Sequence, residues 1–200
     1  MNIRFSTREL LDLGVAWIAL SVAFMIILLR PFYAFPIPVI VEQLALSFVT
    51  VGVAFLLHEL AHKVVAIRFG QIAEFRADYG MLFVAIMGAL IGVLFAAPGA
   101  VYHQGRLTLR ENGLIALAGP ITNLVLAALF APLAFFASGF AASIGNLGLT
   151  INLFLAAFNM VPFGPLDGNT VKDWSLPVFV VVFVPSAALA LWALFGLGLF

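Results

Sequence analysis

The sequence predicts an all-α polytopic membrane protein with about five transmembrane helices, a re-entrant segment and a short membrane-associated β-hairpin. Composition comes first: hydrophobic residues make up 64% of the 200-residue chain and charged residues 9%, at a mean hydropathy of +1.20. That balance excludes an ordinary soluble domain. Segmentation comes second: one bilayer crossing needs about 20 apolar residues, and five segments reach or approach that length, at 10–29, 44–66, 114–137, 147–161 running on to 168, and 176–200. A sixth apolar run, 81–97, is ambiguous. Charge comes third: if the N-terminus is cytoplasmic and 81–97 does not cross, eight of the nine basic residues lie on the cytoplasmic side and Arg30 alone lies outside.

The first segment follows Arg4 and Arg8, is longer than a typical signal-peptide core and lacks a small-residue cleavage site, so it reads as a retained span. Between it and the second segment lies Pro31-Phe32-Tyr33-Ala34-Phe35-Pro36-Ile37-Pro38. Its prolines forbid a continuous helix and its aromatics suit the membrane interface. No soluble linker, low-complexity tract or internal repeat interrupts the chain. Residues 1–200 therefore read as one membrane-embedded domain, with a core over 44–168 and accessory spans at 10–29 and 176–200. The charge bias predicts a multi-pass protein of the cell membrane whose functional site faces the cytoplasmic side. The formal net charge is zero and no basic tract stands out, which excludes nucleic acid as a partner. There is no cysteine, which excludes thiolate metal sites, disulfides and cysteine nucleophiles.

The second segment carries His58-Glu59-Leu60-Ala61-His62. Residues four apart share a helix face, so His58 and His62 can present ring nitrogens to one zinc ion with Glu59 beside the open coordination position. A carboxylate at the centre of a span costs about 2.5–3.5 kcal/mol on insertion scales, which makes intramembrane acids functional candidates. Among nine acidic residues only Glu59 and Asp167 lie deep in or at the end of an apolar segment in a way that flanking position does not explain; Glu9, Asp12, Glu42, Glu74, Asp78, Glu111 and Asp173 read as interfacial or in loops. Catalytic zinc usually takes three protein ligands. Asp167 is the best third ligand, because Pro162, Gly164, Pro165 and Gly168 must break the helix around it. His103, Glu74 and Asp78 compete for that place. If Asp167 does join His58, both lie near the C-terminal ends of their segments, and an odd number of crossings must separate them. The segment 81–97 then enters and leaves on one side, turning near Gly88 or Gly92; a short ordinary span is the alternative.

His58-Glu59-Leu60-Ala61-His62 together with Asn159-Met160-Val161-Pro162-Phe163-Gly164-Pro165-Leu166-Asp167-Gly168 resembles the HExxH and NxxPxxxLDG pair of the site-2 protease family of intramembrane zinc proteases. Leu117-Ala118-Gly119-Pro120-Ile121-Thr122-Asn123 is similar to the GxxxN element of that family's middle helix. The resemblance covers roughly residues 44–168. It implies one zinc ion per chain on His58, His62 and Asp167, Glu59 as the general base, and Asn159 as a residue that helps hold the substrate. Asn159 reads equally well as a helix–helix hydrogen bond, and Asn123 reads as packing rather than chemistry. No PDZ or CBS-like domain is expected in a chain this compact.

Residues 96–103 and 106–110 read as a β-hairpin turning at Gly105. A transmembrane protein substrate must unwind before its peptide bond can be reached, and a strand edge at Pro98, Gly99, Ala100 and Val101 could hold the extended form by main-chain pairing, as the family resemblance also implies. A plain connecting hairpin is the alternative. The expected function is hydrolysis of a peptide bond in or near a substrate's transmembrane helix. A membrane metal-binding or transport protein with the same ligands would show a ladder of polar residues along a path, which the spans lack. A pseudoprotease would not need Glu59. Serine and aspartyl intramembrane proteases are excluded, since no GxSxG, GxSG or GxGD element occurs.

Overall fold

The computed structural model describes residues 3–93 and 98–196. In chain order, α1 (Thr7–Leu28) leads through a short 3₁₀ turn, Phe32–Ala34, to α2 (Ile37–Ser47). A π-helical turn, Phe48–Gly52, joins α2 to α3 (Val53–Arg68) as one helix of 32 residues. Strand β1 (Ile72–Ala77), α4 (Tyr79–Ile91) and β2 (Gly99–Gln104) follow, then α5 (Leu109–Phe136), α6 (Gly139–Asn159), α7 (Asp167–Trp174) and α8 (Leu176–Gly196). Five helices among the described residues are long and apolar enough to cross a membrane: α1, the joined α2–α3, α5, α6 and α8. The protein is thus an all-α polytopic membrane protein with one small sheet.

The second span begins at Ile37, earlier than the apolar run from 44 suggests. Pro36 is its N-cap and Pro38 lies in its first turn, where a missing N–H costs no intrahelical bond. A π turn inserts an extra residue and loosens the backbone ladder. Trp17 Nε1 donates to the Phe48 carbonyl at 3.0 Å and Thr50 Oγ1 to the Leu46 carbonyl at 2.7 Å. The indole lies so close over the turn that a Cβ at Gly52 would meet its ring at 1.9 Å.

The two strands pair antiparallel, with Ile72 opposite Gln104 and Ala77 opposite Gly99. The sheet therefore exists, but its partner strand differs from the hairpin read in the sequence. Residues 106–110 do not pair with β2, because Thr108 caps α5: its side chain accepts from Glu111 N while Glu111 returns a bond to Thr108 N. This capping box draws the segment into the helix entry. Ile72–Ala77 takes the strand role by alternation, with Ala73 and Phe75 buried and Glu74 more open.

Helix α4 has 13 residues, roughly 20 Å at 1.5 Å per residue and short of a 30 Å hydrocarbon core. Gly92, at φ 86°, ends it in the left-handed conformation, and Val93 N donates to Gly88 O at 2.9 Å. By Pro98 the chain is back beside the helix start, since Asp78 N donates to Pro98 O at 3.0 Å. The segment leaves and returns at one end of the sheet, as a re-entrant path requires. Residues 94–97 of the predicted segment lie outside the described residues.

Helix α6 closes onto α5 through small residues: a Cβ at Gly145 would meet Ala134 N at 2.2 Å, and one at Gly148 the Phe130 ring at 2.5 Å. After Asn159 the helix breaks, as the prolines demand, and resumes as α7 with Asp167 as its first residue. Proline 185 is carried inside α8.

Two acids depart from their expected interfacial places. Glu9 and Asp12 are 0% and 2% exposed. Both lie on the face of α1 turned to β1, where Glu9 Oε1 accepts from Phe75 N at 3.0 Å and Asp12 Oδ2 from Ala77 N at 3.4 Å. Asp12 also accepts from Tyr79 Oη at 2.6 Å, and Glu9 pairs with Lys63. Position near the end of an apolar run suggested solvent; the unpaired amides of an edge strand supply partners instead.

Gly52→Ala should destabilise the protein by about 1–3 kcal/mol, the usual cost of overpacking. Thermal unfolding in detergent should show most of that loss recovered in Gly52→Ala/Trp17→Ala relative to Trp17→Ala alone.

Candidate metal centre

His58 and His62 lie one turn apart on α3 and face α5 and the start of α7. His58 Nε2 and His62 Nε2 are 2.9 Å apart, and Asp167 Oδ2 lies 3.3 Å from the first and 3.4 Å from the second. Ligands 2.0–2.1 Å from one tetrahedral ion stand about 3.3 Å from each other. The three side chains that the sequence nominated therefore come together with the spacing of such a site. Among the described residues they form the one group of three or more His, Cys, Asp or Glu side chains arranged to hold a metal. The competing candidates His103, Glu74 and Asp78 are not in it.

The protonation pattern fits a cation. His62 Nδ1 lies 2.8 Å from the Ile115 carbonyl, which can only accept, so the proton sits on Nδ1 and the Nε2 lone pair points inward. His58 Nδ1 lies 2.6 Å from Asn123 Oδ1. The Asn123 amide is oriented by its own donors, with Nδ2 bonded to Asn152 Oδ1 at 2.9 Å and to the Ala54 carbonyl at 3.3 Å. His58 therefore also turns a lone pair inward. Asp167 Oδ2 is buried without a hydrogen-bond partner. The two Nε2 atoms and the buried carboxylate oxygen converge on one point, an arrangement that a metal cation there would satisfy.

Asn123 is the residue that sequence reasoning placed least well. It is fully buried, and it both ties α5 to α3 and α6 by hydrogen bonds and meets His58 Nδ1 with its side-chain carbonyl. Its signal was Gly119, one turn earlier. A Cβ on Gly119 would stand 2.5 Å from the Nε2 atoms of both His58 and His62, in the space where the three ligands converge. Only glycine lets α5 pass this close. Gly168 has a similar duty, because a Cβ there would meet the Met160 carbonyl at 2.0 Å and push Asp167 out of place.

A cavity of about 320 Å³ opens onto the group. Glu59, 8% exposed, lines it beside both histidines, and Asn159 lines it from the end of α6. Asn159 Nδ2 donates to the Leu155 carbonyl on its own helix at 3.0 Å, leaving the second N–H and the side-chain carbonyl for the cavity. Pro98, Gly99, Ala100, Val101 and His103 line it from β2. Burial holds the His103 imidazole below its ordinary value. The sheet has two different edges. With the Phe75 and Ala77 amides turned to α1, strand alternation turns Glu74 and Arg76 toward β2 and leaves the main-chain groups of Gly99, Val101 and His103 on the far edge, beside the cavity.

The chain matches no protein-family model and no solved structure. It is 40% identical over 196 residues to a protein of Methanocaldococcus jannaschii provisionally named zinc metalloprotease MJ0611, covering 96% of this chain and 97% of the relative. It is 28% identical over 190 residues to YwhC of Bacillus subtilis, covering 75% of this chain and 85% of that protein. Over 119 residues it is 35% identical to Rip3 of Mycobacterium tuberculosis, covering 57% of this chain and 26% of that protein. Both carry the same provisional name. The relatives are named for zinc, and two histidines with one carboxylate are a donor set that suits it.

Gly119→Ala should abolish stoichiometric zinc binding while leaving helical content unchanged, as metal analysis and circular dichroism on one preparation would show. Asn123→Ala should weaken zinc affinity by about 10–100-fold, the range for an outer-shell partner of a ligating histidine, measured by competition with a chelator.

Proposed function

The chain belongs to the zinc metalloprotease family that its Methanocaldococcus relative represents, and on that premise we propose that it is an intramembrane protease of the site-2 type. It hydrolyses a peptide bond in or near the transmembrane helix of a substrate protein. The observation that carries this reading is the convergence of His58 and His62, on a helix long and apolar enough to span a bilayer, with Asp167 at the start of α7. A soluble metalloprotease has no need to build its ligands into membrane spans.

In this reading His58, His62 and Asp167 hold the zinc and Glu59 is the general base. Zinc bound there would supply Lewis acidity, lowering the pKa of a water toward 7 and polarising a peptide carbonyl. The Glu59 carboxylate takes the water proton and returns it to the leaving amine, a two-way role that suits an acid shielded from bulk solvent. Asn159 offers its free amide proton and carbonyl to the substrate main chain across the cavity. The open edge of β2 at Pro98, Gly99, Ala100 and Val101 holds the unwound segment in extended form. Gly99, Val101 and His103 present the pairing groups, while Pro98, which has no N–H, offers none at the edge's start.

Residues 1–200 act as one membrane-embedded unit in this account. The bias of basic residues supports a cytoplasmic N-terminus and a site toward the cytoplasmic side. Arg4, Lys63 and Arg76 gather at the sheet end of the molecule, while the Arg30 guanidinium reaches Gly92 at the far end of α4.

Glu59→Gln should keep wild-type zinc content and lose about 10²–10⁴-fold in cleavage of a transmembrane substrate, the usual worth of a general base. Asp167→Ala should lose both zinc and cleavage. Wild-type activity in Glu59→Gln would overturn the mechanism.

A further inference from the structure

A buried ion pair stands one residue from the metal-binding group and has no part in the chemistry above. Glu9 on α1 and Lys63 on α3 are 0% and 1% exposed and are bonded to each other. We propose that Glu9 is a positioning residue, which fixes the open edge of β2 opposite the metal group by joining α3 to β1. The proposal rests on the proteolytic reading for its consequence in substrate binding, and on geometry alone for the positioning.

The two oxygens of one carboxylate divide their work. Oε2 takes Lys63 Nζ, on the residue that follows His62. Oε1 takes the Phe75 amide at 3.0 Å, in the strand that carries β2. Phe75 is paired with Val101, whose main chain lies on the open edge at the cavity. A path of four bonded or paired residues, Lys63, Glu9, Phe75 and Val101, thus runs from a metal-bearing turn to the strand that faces it. The ammonium cannot drift from this arrangement. It donates also to the Arg4 carbonyl at 2.8 Å and sits 4.1 Å from the centre of the Phe5 ring.

Stability alone does not require a charge here, since a buried ion pair can often be exchanged for apolar residues of similar volume without loss. What an apolar pair cannot do is accept the Phe75 N–H. A two-stranded sheet is marginal by itself, and without the Glu9 acceptor the outer edge of β1 keeps only the Asp12 bond to Ala77 and the packing of Phe75. The carboxylate contact is therefore the part of the pair that acts on β2, and the ammonium serves to hold the carboxylate.

Two double variants separate these parts. Glu9→Gln/Lys63→Met removes both charges but keeps a carbonyl for Phe75, whereas Glu9→Leu/Lys63→Met removes the acceptor too. Each would be purified full-length in detergent and compared with wild type for zinc content, amide hydrogen exchange over 72–77 and 99–104, and KM and kcat on a transmembrane substrate. Both should keep wild-type zinc. The Gln/Met protein should match wild type in exchange and KM to within about threefold, while the Leu/Met protein should exchange at least about tenfold faster in both strands. Its KM should rise about tenfold with kcat changed less than about threefold. Unchanged exchange in the Leu/Met protein overturns the proposal, as does faster exchange with an unchanged KM. Equal loss of zinc and folding in both variants overturns it as well, because the pair would then be a general staple. If the exchange pattern is as expected but no form, wild type included, cleaves any substrate, the positioning stands and the proteolytic reading fails.

Discussion

Two imidazole lone pairs and one carboxylate oxygen meet within 2.9–3.4 Å in the interior of an apolar bundle. A metal cation at that point would offset the cost of burying them together. Much of the structure follows from making the meeting possible. Helix α5 must pass over the histidines without a side chain, which Gly119 allows. Each ring must be held with its proton turned away, which the Ile115 carbonyl and Asn123 do. The second half of the α6 region must stop being a helix so that Asp167 can begin a new one. Each of these features would be a local defect in an ordinary membrane helix, and each is explained by the same point in space.

The same economy governs the backbone. In a membrane an irregular segment is tolerated only where protein or a wet cavity satisfies its polar groups. The π turn at Phe48–Gly52 meets that condition through Trp17 and Thr50, and β1 meets it on its outer edge through Glu9 and Asp12. Buried acids are thus used in two unlike ways. Asp167 leaves an oxygen free of hydrogen bonds and turned to the histidines, whereas Glu9 and Asp12 spend theirs on amide donors.

The legible parts were those written in local spacing. His58 and His62 share a face because they are four apart, and Asp167 announces itself by the prolines and glycines that break its helix. The return of the chain by Pro98 to the start of α4 agrees with the inference that His58 and Asp167 had to reach the same level. What failed was non-local. Glu9 and Lys63 are 54 residues apart, and no periodicity in either helix marks them as a pair. Asn123 and His58 are 65 apart, so an orienting hydrogen bond looked like packing. The strand partner of β2 was sought next in sequence, although the apolar alternation of Ala73 and Phe75 across Ile72–Ala77 was a usable signal. The capping box at Thr108 and Glu111 argued against the hairpin for the same reason that it starts α5 so firmly.

The difference between the two edges of the sheet ties these observations to function. An unpaired strand edge is a template for another chain, and proteins usually cover it. Here one edge is covered by buried carboxylates, and the other is left beside a cavity of about 320 Å³ that also holds the metal group. That cavity is roomy enough for water, which can satisfy the free main-chain groups of Gly99, Val101 and His103 while no other chain is present. A transmembrane helix entering it has no free backbone donors of its own until it unwinds, and unwinding in hydrocarbon leaves each group unsatisfied at a cost of several kcal/mol. Under the proposed function, pairing with the open edge would remove that cost at the place where the peptide bond must be exposed. Under the proposed function, substrates whose helices are already weak beside the cleavage point, through glycine, proline or polar residues, are therefore the ones this site selects.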